Sequence, residues 1–268
     1  MVLSLKLATA VLLISYIVSF SGAIPPVDFV IPPKVVDIVP SKPVREGRGR
    51  ADDGKIAEFS VKFYYTPEVK KEFKGEQKVF EKIREITKKT NEIFEDSKIP
   101  IRMIEKCPEK TSISESQGMY TLESFQKYKY RFDLLDTADA AALLSTKVLA
   151  SDTDKSSLCG EAFVLNDEDN FSFAFNRLSI TNISCGYKTF AHELGHNFGA
   201  YHTFSNRSDI PYGHGYYLPE TKGTKGTIMT YASQKYIFSN PNIWVESWKN
   251  WGGDKKTADV ARLIKERR

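Results

Sequence analysis

Apolar and polar residues alternate through IAEFSVKFYY, residues 56–65. That two-residue period predicts a strand with one buried face. The period then changes. Between residues 77 and 97, Phe80, Ile83, Ile86, Ile93 and Phe94 recur at three- and four-residue spacing. This predicts an amphipathic helix whose lysines and glutamates form a solvated face. Residues 99–104 predict a second strand and residues 120–135 a second helix. Residues 138–145 are small and apolar, as a buried central strand requires. Strand, helix, strand, helix, strand predicts an α/β sandwich, with a further helix starting near residue 188 packed under its sheet. Residues 171–175, FSFAF, alternate again, and residues 257–267 predict a final helix. Between residues 205 and 226 turn formers dominate and regularity fades. His214, flanked by glycines there, reads as a loop residue.

The first fifty residues follow neither period. Lys6 precedes an apolar run over residues 7–20, and Ser21-Gly22-Ala23 is a small-residue cleavage site. Residues 1–23 therefore read as a secretory signal peptide, against the alternative of an uncleaved membrane anchor, for which the run is short. Residues 24–50 carry Pro25, Pro26, Pro32, Pro33, Pro40 and Pro43, which exclude regular helix or a central strand. They form a pro-segment ending near Arg48 or Arg50, or else a plain linker. Residues 51–268 have the length of one domain.

Composition adds little until the histidines are counted. The 38 basic and 34 acidic residues are interleaved, which gives no nucleic-acid surface. Three cysteines in an exported chain leave one unpaired after one disulfide, and three pairings are open. Sequons at Asn170, Asn182 and Asn206 fit an extracellular protein. Only four histidines occur, and three of them fall within residues 190–203, FAHELGHNFGAYHT.

The spacing of that stretch has a chemical reading. Residues four apart on a helix share a face, so His192 and His196 can direct two imidazoles at one ion. Glu193 stands beside the first ligand, where a carboxylate can hold a water without binding the metal. His202 cannot lie on the same straight helix. Ten residues of helix span about 15 Å, against about 2 Å for a zinc–nitrogen bond. The chain must stop and swing back, and Gly199 stands where a left-handed residue is needed.

Taken together, His192, Glu193, His196, Gly199 and His202 form HExxHxxGxxH, and the chain resembles the metzincin zinc proteases. Residues 226–232, GTIMTYA, match the methionine turn of that family, with Met229 beneath the metal. TFAHELGHNFGA, GTIMTYA and the later FSNP are most similar to the reprolysin-like (adamalysin-related, M12B-like) branch. Thr203 departs from the aspartate common there after the third histidine. Tyr231 stands where other metzincins place a tyrosine that approaches zinc, as an oxyanion stabiliser; a packed aromatic in the turn wall is the alternative.

The resemblance implies a metzincin-like α/β (α+β) catalytic domain with a mixed twisted sheet, a zinc-binding helix and an irregular C-terminal subdomain. It implies a Cys159–Cys185 disulfide, which leaves Cys107 over. It makes residues 171–175 either the edge strand of a substrate cleft or a core strand, and it makes residues 240–242 one wall of a substrate pocket. The function implied is a secreted, monomeric zinc metalloendopeptidase. Glu193 is its base, Zn²⁺ its cofactor, and proteins or peptides are its substrates, with no nucleic acid and no membrane once the signal is cleaved. A venom or salivary protease is one role such an enzyme fills. A silent, zinc-stabilised interaction protein is the alternative.

Overall fold

The computed structural model describes residues 55–112, 115, 121–132, 138–149, 157–165, 177–202, 210–232 and 235–267. Residues 1–50, the 171–175 strand, Thr203 and the sequons at Asn170 and Asn206 lie outside the described residues. The first strand is β1 (Ala57–Tyr65). Then come α1 (Pro67–Glu72), α2 (Glu76–Asp96) and β2 (Ile101–Lys110). Helix α3 (Leu122–Phe132) leads into β3 (Ala140–Ser145), β4 (Val148–Leu149), β5 (Ser157–Leu158) and β6 (Gly160–Ala162). Strand β7 (Leu178–Asn182) precedes α4 (Tyr187–Asn197). The last elements are β8 (Asn240–Val245), β9 (Asn250–Gly252) and α5 (Val260–Arg267).

The main sheet runs β2-β1-β3-β7-β6. Its first four strands are parallel, and β6 pairs antiparallel at the far edge. Side-chain alternation sorts the two faces. Phe59, Val61, Phe63 and Tyr65 point to one side, where Ile83, Ile86 and Phe94 of α2 meet Phe190 and Leu194 of α4. Tyr64, Leu143 and Ile180 point to the other side and pack on Phe125 and Tyr128 of α3. A sheet covered on both faces needs no polar alternation at its centre. Accordingly all six residues of β3 are buried.

Several element ends differ from the sequence expectation, each for a physical reason. Strand β2 continues past residue 104 to Lys110, through a polar run that contains Pro108. It is an edge strand with a register shift opposite residues 62–64, a place where a missing N–H is tolerated. Helix α3 begins at Leu122 because the Thr121 hydroxyl accepts the Ser124 N–H. Helix α5 begins at Val260, not near 257, because the Asp254 carboxylate accepts the amides of Lys256 and Thr257 in a separate turn.

Residues 240–242 also differ from expectation. They open β8 and dock on the end of α2, with Asn240 Nδ2 donating to the Ser97 carbonyl at 2.9 Å and Ser97 Oγ accepting the Phe238 N–H at 2.8 Å. They do not line the cleft described below. Among the described residues no helix is long and apolar enough to cross a membrane.

Candidate metal centre

Helix α4 starts after a short 3₁₀ turn, Ile183–Cys185, at Gly186 with φ 79°. Cys185 is joined by a disulfide to Cys159, the residue before β6. Cys107 is free and exposed on β2. Phe190, Ala191 and Leu194 bury the core face of α4. The Asn197 amide donates to the carbonyls of Phe163 and Leu178, both at 3.0 Å, and ties the helix end to the sheet edge. With that face fixed, His192 and His196 emerge one turn apart beside β6.

Two backbone carbonyls set the tautomers. A carbonyl only accepts, so His192 Nδ1 donates to Ile228 O at 2.7 Å and His196 Nδ1 donates to Ala200 O at 2.7 Å. Each Nε2 is then left with its lone pair directed inward. His202 Nε2 lies 2.9 Å from the first and 3.0 Å from the second. Burial, followed by the neighbouring imidazoles, holds His196 down to about 3 and His202 down to about 4, and burial lowers His192. Three neutral imidazoles whose Nε2 atoms converge, two of them with inward lone pairs, suit a cation. Their ligand atoms lie within 4.8 Å of one another. The donor set fits a metal that prefers nitrogen ligands and leaves positions open for water or substrate.

The return of His202 depends on several contacts outside the helix. Gly199 adopts φ 89°, and a Cβ there would clash with the Arg267 guanidinium and lie 2.8 Å from Leu165 O. Arg267 Nη1 donates to Leu165 O at 2.9 Å and to Phe198 O at 3.1 Å, so a cation closes the C-terminal end of α4. Tyr201 then bridges His214 in a parallel pair. Residues 213–215 thereby hold the returning chain. His214 is fully buried in this bridge, and its carbonyl accepts the Ser239 hydroxyl at 2.7 Å. It is a loop residue, outside any named helix or strand, packed in the return.

Below α4, Met229 is fully buried, and its sulfur packs where a Cβ on Gly195 would stand. Glycine between the two helical histidines is thus a close-approach requirement. Tyr231 is 80% exposed, and its ring centroid lies 4.3 Å from that of His202. Glu193 is buried, and a Cβ on Gly160 would lie 2.7 Å from its Oε1. Burial, reinforced by the Glu161 charge, pushes Glu193 up to about 8. A cation beside it would oppose that shift. The cleft has a volume of about 620 Å³, and Gly160, Glu161, Lys188, Glu193, His202 and Tyr231 are among its lining residues. The sheet edge at the cleft is β6.

Of the three sequons, Asn182 is described. Its Nδ2 donates to Thr146 O and its Oδ1 accepts the Ser184 N–H, so the amide already serves the fold. The contributions of Ile228 O, Ala200 O, Gly160, Lys188 and Arg267 were not expected from sequence. A backbone carbonyl has no side-chain signature, and Arg267 lies far along the chain from the turn it closes.

The family comparison agrees with a metal site. The profile of metallo-peptidase family M12 matches residues 57–243. A peptidyl-Asp metalloendopeptidase of Stenotrophomonas maltophilia (strain K279a) is 35% identical over 118 residues. That alignment covers 41% of this chain and 27% of the relative, so the chain spans only about a quarter of that protein's length. A solved chaperone–substrate complex superposes with a TM-score of 0.59 at 21% identity, over 78% of this chain and 33% of that one, a likeness of fold. An archaemetzincin from Methanopyrus kandleri gives a TM-score of 0.42 at 13% identity over 78% of this chain and 95% of that one.

Proposed function

This chain belongs to metallo-peptidase family M12, and from that premise we propose that it is a secreted zinc metalloendopeptidase of the reprolysin-like branch. The observation that carries the reading is the convergence of the three Nε2 atoms, two of them oriented by backbone carbonyls. His192, His196 and His202 are the zinc ligands. Zinc, when bound there, supplies an acidified water and polarises the substrate carbonyl.

The chain's own groups do the rest. Glu193, packed against Gly160, accepts the proton of the attacking water and passes it to the leaving amine. Burial raises its proton affinity and a bound cation opposes that rise, which leaves the carboxylate able to take up and release a proton. Tyr231, whose ring is tilted against His202, offers its hydroxyl to the developing oxyanion. Met229 and the tight bonding of Ile228 and Thr230 form the methionine turn that supports the helix from below. Residues 1–23 act as the signal, residues 24–50 as a pro-segment or linker, and residues 51–268 as one catalytic domain that works as a monomer on protein or peptide substrates. Export rests on the sequence of residues 1–23.

Replacing Glu193 by Gln tests the mechanism. The variant should bind one zinc per chain and fail to cleave casein or gelatin. Cleavage at the rate of the unaltered protein would remove Glu193 from the mechanism. A zinc-loaded, folded parent protein that cleaves nothing would favour the zinc-stabilised interaction protein instead.

A further inference from the structure

The chain has three tryptophans, and all of them fall on the hairpin of β8 and β9, at residues 244, 248 and 251. Val245 and Gly252 bury the inner face of that hairpin, where Gly252 meets Ile237. The outer face carries apolar surface too. Trp244 and Trp251 pair directly across the two strands, with ring centroids 5.4 Å apart and planes at 82°. Such a pair braces a hairpin, yet each residue remains 49% exposed. Isolated apolar residues on a surface need no explanation, but two adjacent indoles do. Opposite charges frame them. The turn Glu246–Trp248 joins the strands, and the Lys249 N–H donates to the Glu246 carbonyl at 3.1 Å. The Glu246 carboxylate accepts the Trp244 indole N–H at 2.9 Å, which sets a negative charge against the ring pair. Lys249 is exposed at φ 49°, and its ammonium forms no ion pair among the described residues.

We propose that this hairpin binds the headgroup layer of a phosphatidylcholine membrane. Choline carries a quaternary ammonium that donates no hydrogen bond and is attracted to the faces of aromatic rings, indole above all. The Glu246 carboxylate beside Trp244 adds a full negative charge to that attraction. The Lys249 ammonium, at the other end of the turn, meets the phosphate of the headgroup. Within residues 240–252 the charges are this one carboxylate and this one ammonium, a balance that matches a zwitterionic headgroup. An anionic surface gains nothing from Glu246. Indoles that are apolar in body and polar at one edge settle at headgroup depth, where half-exposed rings lose their contact with water. None of residues 240–252 lines the metal cleft, so a protein held by the hairpin keeps the cleft for its substrate. The metzincin resemblance implies no membrane contact, and this surface departs from that expectation.

Because the tryptophans all lie on this hairpin, their emission reports on it alone. The protein, taken as it leaves expressing cells, is mixed with vesicles of phosphatidylcholine or of phosphatidylglycerol. Phosphatidylcholine should shift the emission to shorter wavelength, and brominated acyl chains should quench it. Phosphatidylglycerol, which lacks the quaternary ammonium, should bind about tenfold more weakly. Trp244→Thr combined with Trp251→Thr, which keeps strand-forming residues, should lower affinity in vesicle sedimentation about a hundredfold. Two variants spare the ring pair. Glu246→Gln, whose amide oxygen still accepts the indole N–H, should weaken phosphatidylcholine binding about fivefold and narrow the preference over phosphatidylglycerol. Lys249→Met should also weaken phosphatidylcholine binding about fivefold. Zinc content and melting temperature of these two variants should match the parent.

An emission spectrum unmoved by phosphatidylcholine vesicles overturns the proposal. So does equal affinity for phosphatidylglycerol, which would make the hairpin an unselective apolar anchor, and so does binding that survives loss of both indoles. Glu246→Gln and Lys249→Met variants that bind as the parent does remove the headgroup contacts and the assignment with them. Free phosphocholine should compete only at concentrations far above those of vesicle lipid. Equal affinity for the free compound would put a soluble ligand in place of the membrane. Each of these outcomes leaves the peptidase reading untouched, since binding is measured without cleavage.

Discussion

Two regions of different construction meet at the three histidines. Helix α4 supplies His192, Glu193 and His196 from a rigid element whose core face is buried against the sheet. The irregular part, residues 199–202 and 210–231, supplies His202, the Ile228 carbonyl and the Tyr231 ring from turns and isolated bridges. In the helix, position follows from a period of 3.6 residues and one buried stripe. In the irregular region each placement rests on a separate contact with a distant residue: Arg267 at the Gly199 turn, Gly213 and Gly215 at Tyr201, and Gly195 at Met229. The helix should therefore tolerate changes that spare its buried stripe, whereas the return should respond to single contacts far from the metal.

The largest expected effect separates chemistry from construction. Glu193→Gln should lower peptide hydrolysis about a thousandfold and leave metal content near one ion per chain, measured by atomic absorption. Loss of metal would make the residue part of the site's construction.

Gly199→Val comes next. The added side chain meets the Arg267 guanidinium in a backbone region unfavourable to branched residues, which should cost roughly 2–4 kcal/mol in thermal unfolding. The variant should also hold zinc more weakly in competition with a chelator. Unchanged affinity would mean that His202 is placed by something other than this turn.

Arg267→Ala leaves the carbonyls of Leu165 and Phe198 without a donor they now have, at a cost of about 1–3 kcal/mol. Zinc affinity should fall severalfold and recover in part with lysine at 267. An equal loss of stability with no change in affinity would limit Arg267 to the fold.

A smaller effect concerns protons. With the metal stripped, Glu193 is held protonated up to about 8, whereas the unfolded chain ionises near 4.5. The folded state then binds the extra proton, and stability falls as pH rises between those values. The lowered histidines act the other way, losing stability as pH falls below 6.5. Between pH 6.5 and 8 the Glu193 contribution outlasts that of the histidines. Melting temperature of the metal-free protein should decline over that window, and Glu193→Gln should flatten the decline. Tyr231→Phe should change least in stability, within about 0.5 kcal/mol, because the ring is mostly exposed. If its hydroxyl serves the oxyanion, kcat should fall about tenfold or more with KM little altered.

Much of this was legible in the chain itself. The first strand and the long second helix carry an uninterrupted period, the third strand a continuous apolar run and the fourth helix its histidine spacing, and each lies within a few residues of its expected place. The strands β4, β5, β6 and β9 were not expected, because two or three residues are too few to display a period. The substrate-pocket wall expected at residues 240–242 instead braces α2 through Asn240.

The sequence by itself determined which residues could hold a metal. Helical geometry forces His192 and His196 onto one face, and the distance to His202 forces a turn at Gly199. Only the tertiary structure decided that the three imidazoles meet as neutral donors. That outcome depends on carbonyls of Ile228 and Ala200, on a guanidinium from the last helix and on the room left by Gly160 and Gly195. Such contacts join positions distant along the chain, and a backbone oxygen or a missing Cβ has no periodic trace in sequence. They become visible only when the core has packed and the Ile228 and Ala200 carbonyls have fixed which nitrogen of His192 and of His196 bears its proton.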